Sequence, residues 1–372
     1  MIVPYYKSKD RAFTLLHGDC FELLPQFDFH FDMIFADPPY FLSNGGISFQ
    51  AGHIVSVDKG DWDKGGTPEH INGFNQKWIS LCREKLNENG TIWISGTYHN
   101  IFSVASCMVS LGFKVLNIIV WQKSDAKPTL SRNYFNFTTE YIVWARKKDN
   151  VPHYFNCDLM EQINGGTRMA DVWRIPFISS WEMKLGQHPT QKPLRLLYRI
   201  ILASTREGET ILDPFAGSCT TGIAANLLGR KFIGIDQSLD YLDYGIRRKR
   251  EIEDASKSEW ILKKMSENPE EVMVMVNHAR PDLYKRMIET GICYLRAGDS
   301  KGSLLVTPGF ERLNYVLLHT NGENAHLFRL KTRGHFQIWT QETLRQYGFE
   351  PRNVAYYVVL HFDPTKPITM KQ

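Results

Sequence analysis

A chain of 372 residues that is 43% hydrophobic and 23% charged has the composition of a soluble globular protein with ample core, which excludes a disordered or fibrous one. The formal net charge of +4 is compatible with a polyanionic partner without singling one out. Six scattered cysteines without a C-x-x-C pair argue against a zinc site or a disulfide framework. No apolar leader opens the chain, and no segment approaches the ~20 apolar residues of a membrane span. The expectation is a cytoplasmic protein with no bound metal.

In chain order, short β-branched or aromatic runs alternate with helical stretches from Ala12 to about Leu242. The runs predict strands over Phe13–Leu16, Phe31–Ala36, Thr91–Ser95, Phe113–Trp121, Tyr141–Ala145, Thr210–Asp213 and Lys231–Asp236. Helices are predicted over Phe74–Asn87, Ile101–Leu111, Pro193–Ser204, Thr220–Leu228 and Leu239–Ile252. This alternation implies an α/β fold, a mostly parallel sheet with helices on both faces. Phe41–Gly73 is Gly-rich, polar and too long for an ordinary connector, so it reads as a functional loop. Ser124–Gln187 mixes aromatic, basic and Gly residues with little regular periodicity. The charged stretch Arg247–Glu271 reads as a helix end and linker, and Val272–Gln372 as a separate small α+β unit. Its expected strands are Ser303–Thr307, Tyr315–His319, His326–Leu330, Phe336–Thr340 and Ala355–Phe362. The domain expectation is therefore a large α/β domain over 1–250, a linker over 251–271 and a C-terminal α+β domain over 272–372.

The sharpest motif is Asp37-Pro38-Pro39-Tyr40, which follows the strand ending at Ala36. Two prolines remove two backbone donors, so the chain must leave the sheet there. What remains is a carboxylate, a rigid carbonyl and an aromatic plane at the carboxyl end of a strand, where α/β folds bind ligands. The exocyclic amine of a nucleobase is a poor nucleophile because its lone pair is delocalised into the ring. Two acceptors, the Asp37 carboxylate and the Pro38 carbonyl, can each take one N–H and favour a pyramidal nitrogen. Tyr40 can stack on the base, an interaction of roughly 1–3 kcal/mol. Taken alone, the motif is also compatible with a strand that simply ends in a turn.

Three further segments carry chemistry. In Ile211–Gly222 a buried strand runs into the small-residue loop Phe215-Ala216-Gly217-Ser218-Cys219, which opens a helix and lets backbone approach a ligand closely. Phe232–Asp236 is a second strand ending in an acid, placed where dinucleotide folds grip ribose hydroxyls. No G-x-G-x-x-G is present, so a nicotinamide cofactor is not indicated. In Leu15-Leu16-His17-Gly18-Asp19-Cys20, Asp19 either accepts an adenine amino group or caps the following helix. His188-Pro189-Thr190-Gln191-Lys192-Pro193 is a rigid polar loop leading into a helix.

Taken in order, these segments resemble the β-group of DNA amino-methyltransferases over about residues 11–250. Asp37–Ser48 together with Val57–Lys64 is similar to the DpnA-type adenine methyltransferases of restriction–modification systems. The resemblance implies a Rossmann-like fold that uses S-adenosylmethionine to methylate N6 of adenine at a short site in double-stranded DNA, single-stranded DNA being left open. It implies that Asp37, Pro38, Pro39 and Tyr40 hold the target base. It also implies that Asp19, Cys20, Thr190, Lys192, Asp213, Phe215, Gly217, Ser218 and Asp236 form the cofactor pocket. An N4-cytosine methyltransferase is the nearest alternative, and an inactive DNA-binding relative a more distant one.

One departure stands out. The family pattern has glycine where this chain has Cys219, which is strained if the position needs positive φ and tolerated if it needs only a small side chain. By resemblance, Lys123–Gln187 is the target-recognition region, with Arg132, Lys147 and Arg174 as DNA contacts. The C-terminal unit gathers basic residues around Leu330–His335 and suits either DNA binding or dimerisation.

Overall fold

The computed structural model describes residues 2–41, 47–50, 53–56, 67–123, 133, 135–164, 167–175, 178, 190–253, 273–296, 313–320, 325–331, 336–351 and 356–368. Its strands begin with β1 (Tyr6–Lys7), β2 (Phe13–His17), β3 (Phe31–Ala36) and the separate pair β4 (Ile47–Gln50) and β5 (His53–Ser56). They continue with β6 (Leu86–Gly96), β7 (Lys114–Gln122), β8 (Thr139–Arg146), β9 (Val172–Arg174), β10 (Thr210–Asp213) and β11 (Lys231–Asp236). All of these except β4 and β5 form one nine-stranded sheet in the order β1-β2-β11-β10-β3-β6-β8-β7-β9.

The neighbours β2, β11, β10, β3 and β6 are mutually parallel. Their carboxyl ends therefore lie along one edge of the sheet. β8 runs antiparallel to both β6 and β7, so its amino end arrives at that same edge. These central strands read as near-continuous apolar runs because both faces are covered. In β3, Met33 and Phe35 point into one core while Ile34 and Ala36 point into the other.

The second core is built with α1 (Cys20–Leu23), α2 (Pro68–Lys85) and α3 (Ile101–Ser110). The first is built with α4 (Cys157–Ile163), α5 (Leu194–Ser204), α6 (Thr220–Leu227) and α7 (Leu239–Glu253). α2 begins six residues earlier than its apolar periodicity suggests. Thr67 caps it by accepting from the His70 amide at 3.3 Å, and Pro68 occupies its first turn.

The C-terminal unit forms two three-stranded sheets. One pairs β12 (Met273–His278), β14 (Leu313–His319) and β15 (Ala325–Arg329). The other pairs β13 (Ile292–Arg296), β17 (Tyr356–His361) and β16 (Gln337–Thr340). β12, β13 and the helices Pro281–Thr290 and Gln341–Gln346 were not expected from the sequence pattern. The expected strand Ser303–Thr307, the linker from residue 254 on and the tip 332–335 lie outside the described residues.

This unit shares the first core with the large α/β domain. The Phe336 amide donates to the Leu227 carbonyl at 3.1 Å, and the Phe336 ring meets Tyr198 edge-on at 6.4 Å. Gln337 also bonds Glu207. Leu227 ends α6 and Glu207 precedes β10, so these contacts lie at the sheet edge opposite the carboxyl ends.

Candidate active site

Register alone brings the acids together. Ala36 pairs with Ile94, so Asp37 and Ser95, one residue further along parallel strands, stand side by side. Gly96 pairs with Tyr141, which brings Glu140 of the antiparallel strand β8 to the same place. On the other side of β3, Asp213 ends β10 and Asp236 ends β11, while Asp19 follows β2.

Asp37 is mostly buried, with its side chain 14% exposed toward the cavity. Its Oδ1 accepts from the Tyr40 hydroxyl at 2.5 Å and from the Ser95 hydroxyl, and its Oδ2 accepts from Lys192 Nζ at 2.6 Å. Burial alone would raise this carboxyl; the Lys192 ammonium and the two hydroxyls outweigh it and hold the group below the ordinary carboxylate value. Lys192 is itself buried, which favours its neutral form, but Asp37 and Glu140 overcome that and raise it. Glu140 Oε2 lies 3.7 Å from Lys192 Nζ, and Glu140 Oε1 takes Lys123 Nζ at 2.5 Å. Four charges of alternating sign thus run Asp37–Lys192–Glu140–Lys123. The Tyr40 ring is buried, and burial beside Asp37 pushes its phenol well above its usual range.

The Pro39 carbonyl is held by the Asn100 side-chain amide at 3.3 Å. Among the described residues nothing donates to the Pro38 carbonyl, which leaves it available to a ligand.

The adjoining acids are set for a different task. Asp213 Oδ1 accepts the Phe215 amide at 3.0 Å and Oδ2 the Thr221 hydroxyl at 2.6 Å; burial pushes its carboxyl up to about 7. The two Asp236 oxygens accept the Gly217 amide at 2.7 Å and the Ser238 amide at 2.8 Å, and burial raises it as well. Asp19 caps α1 through the Phe21 amide at 2.8 Å, and it also faces the cavity.

A single cavity of about 330 Å³ joins these groups. All thirteen residues expected to hold base or cofactor line it: Asp19, Cys20, Asp37, Pro38, Pro39, Tyr40, Thr190, Lys192, Asp213, Phe215, Gly217, Ser218 and Asp236. Lys192, expected only as a pocket wall, turns out to be the counter-ion of Asp37. Sequence reasoning missed Ser95, Glu140 and the aromatic wall. In that wall Phe74 packs edge-on against Phe21 and Phe41, both at 5.5 Å, and lies 6.3 Å from Phe215. The missed signal was positional: Ser95 is the penultimate residue of the next parallel strand, β6, and Glu140 the second residue of the antiparallel β8.

Cys219 resolves its alternatives. Its φ is +58°, so the position does call for a left-handed backbone, and the cysteine is strained there.

The expected DNA contacts separate. Arg174 is exposed at the cavity edge of the sheet, where Gln122 pairs with both Arg174 and Thr139; its Nε donates to Gln122 at 3.0 Å. Lys147 corrects the expectation. It is buried at the far edge, where Thr91 pairs with Arg146, and its Nζ donates to the Leu86 carbonyl at 2.6 Å and pairs with Glu88 at 3.0 Å. Its ammonium is already engaged by the Leu86 carbonyl and Glu88, which argues against a phosphate contact. Arg132 lies outside the described residues.

Comparison with known proteins gives the family. The family model described as DNA methylase matches residues 31–247. Type II methyltransferase M2.MboI of Moraxella bovis is 51% identical over 260 residues, covering 70% of this chain and 95% of that protein. Type II methyltransferase M2.DpnII of Streptococcus pneumoniae is 54% identical over 252 residues, covering 67% and 92%. The solved structure of PvuII DNA methyltransferase (cytosine-N4-specific) shares the fold, with a TM-score of 0.53 at 18% identity over 65% of this chain and 87% of that one. The chain belongs to the DNA methylase family and is a DNA methyltransferase.

Proposed function

We propose that this chain transfers a methyl group from S-adenosylmethionine to N6 of adenine in double-stranded DNA, as the modification enzyme of a restriction–modification pair. The observation that carries this reading is one cavity that holds an amine-binding end, Asp37 and the Pro38 carbonyl, beside a nucleoside-binding end, Asp19, Asp213 and Asp236. The identity to type II methyltransferases supports the restriction–modification setting.

The residues present fit the cofactor. Asp236 retains lone pairs for ribose hydroxyls after accepting two amides, and the Gly217 loop brings backbone close at φ +48°. Phe215 and Phe74 wall the pocket, and the acids of Asp213 and Asp236 suit a cation. When bound, S-adenosylmethionine supplies an electrophilic methyl on a sulfonium.

The chain's own groups do the rest. The base is flipped out of the duplex at a cost of a few kcal/mol and enters beside Tyr40. Its amine donates one N–H to Asp37 and one to the Pro38 carbonyl, which turns the nitrogen lone pair outward. With the lone pair so turned toward the donor's methyl, Asp37 would take the proton that the amine gives up on methylation, directly or through water. Holding the reactants in line supplies much of the rate. Asp37 favours adenine, because cytosine-specific relatives more often carry serine there.

The region 123–187, with Arg174 at the cavity edge, is the part we assign to target recognition. The C-terminal unit, docked at the opposite edge, we assign to supporting the first core. The test is mass spectrometry of nucleosides from DNA methylated by the full chain. N6-methyladenine is expected, and N4-methylcytosine as the product would overturn the assignment.

A further inference from the structure

We infer that Glu140 is a positioning residue that receives Lys192 when the target base arrives, so that Asp37 exchanges its ammonium partner for the base's amine. This inference rests on the reading of Asp37 as the amine's acceptor.

The geometry motivates it in three steps. First, Asp37 is already occupied: both its oxygens accept hydrogen bonds, and its charge is neutralised by Lys192 at 2.6 Å. A carboxylate held in this way is a weak acceptor for an incoming N–H and for the proton that methyl transfer releases. Second, Lys192 cannot leave Asp37 for solvent, since it is buried. An ammonium displaced inside a protein needs another buried acceptor, or the cost of an unpaired charge stops it.

Third, that acceptor is in place. Glu140 Oε2 stands 3.7 Å from Lys192 Nζ, is itself buried, and has no hydrogen-bond partner among the described residues. The other oxygen is pinned by Lys123 at 2.5 Å, which fixes the side chain without satisfying Oε2. A shift of Nζ toward Glu140 therefore trades one ion pair for another while the base takes the vacated side of Asp37. Lys192 keeps a carboxylate partner throughout, Asp37 keeps its charge under hydrogen bonds from Tyr40, Ser95 and the arriving amine, and no proton moves in this step.

The experiment compares the full-length wild type with Glu140→Gln, Glu140→Asp, Lys192→Met and Lys192→Met/Glu140→Gln, using unmethylated genomic DNA and tritiated S-adenosylmethionine. Glutamine keeps the shape but offers Lys192 no charge. Glu140→Gln should lower kcat by about 10- to 100-fold, the scale of a misplaced catalytic group. The KM for DNA and the cofactor affinity should stay within twofold of wild type. Glu140→Asp, which restores the charge, should recover most of the loss. Adding Glu140→Gln to Lys192→Met should change kcat no further, because Glu140 acts only through Lys192. An unchanged kcat in Glu140→Gln, or an equal further loss in the Lys192→Met background, overturns the inference. Asp37→Ala run alongside separates the two levels. If it retains turnover, the reading of Asp37 fails; if it is inactive while Glu140→Gln is silent, only the exchange of Lys192 fails.

Discussion

Cys219 and Gly245 are fitted to each other. A Cβ on Gly245 would lie 2.8 Å from Cys219 Cβ and would overlap its Sγ, so the bare backbone of α7 makes the room that the thiol fills. The chain thus tolerates a side chain at a position whose φ is +58° because a neighbouring helix has given up one of its own.

Gly245→Ala should therefore be destabilising by about 1–3 kcal/mol, the usual cost of forcing atoms into a packed core. Cys219→Gly relieves the backbone and should keep or improve cofactor affinity. In the double variant most of the Gly245→Ala penalty should vanish. A thermal or urea unfolding cycle measures this coupling, and strictly additive penalties would show that the two residues do not share the space.

Asp236 presents carboxylate oxygens to the pocket from a frame set by the Gly217 and Ser238 amides. Charge-assisted hydrogen bonds to two hydroxyls contribute roughly 1.5–3 kcal/mol. Asp236→Ala should weaken S-adenosylmethionine by about tenfold to a hundredfold in calorimetry. Unchanged affinity would place the ribose elsewhere.

Asp213 gives a pH dependence with a definite sign. Burial raises its carboxyl from 3.8 to about 7, so the folded, ligand-free chain keeps a proton that the unfolded chain releases. Its contribution to stability is full below 3.8 and is lost as pH climbs to about 7. A cationic cofactor favours the ionised form, so affinity should rise with pH up to about 7 and level off above it. Asp213→Asn should flatten both profiles. A wild-type affinity that falls across this range would contradict the account.

Lys147 and Arg174 make opposite predictions. Arg174→Ala should weaken DNA binding and reduce the salt slope by about 1. Lys147→Met should leave the slope unchanged and cost stability, because it strips a donor from the buried Leu86 carbonyl. Equal slopes in both variants would return Lys147 to the DNA face.

How much was legible follows from what a one-dimensional pattern carries. Phe31–Ala36, Thr210–Asp213 and Lys231–Asp236 were bounded to the residue because apolar runs there end at acids or prolines. Each acid then sat at the end of a parallel strand, so one cavity could be anticipated from three motifs. The pairing of Lys192 with Asp37 could not, since 155 residues separate them and nothing in either motif names the other. Glu140 was hidden for a related reason: only the reversed direction of β8 carries its first residues to the cavity edge. Lys147 misled because a basic run reads as a surface, whereas its ammonium is turned inward to a backbone carbonyl and Glu88. The helix Pro281–Thr290 went unread although Leu283, Tyr284, Met287 and Ile288 recur at helical spacing, because the run is only ten residues long.

The central claim is that Asp37 acts on the base's amine and not on the cofactor. Tritiated methyl transfer to unmethylated DNA by Asp37→Ala, with calorimetry of S-adenosylmethionine on the same preparation, tests it directly. The account predicts a loss of turnover of about 10²-fold or more, the scale of a removed acid–base group, with cofactor affinity within about twofold of wild type. Turnover within a few-fold of wild type, or a loss explained by failure to bind the cofactor, would contradict it.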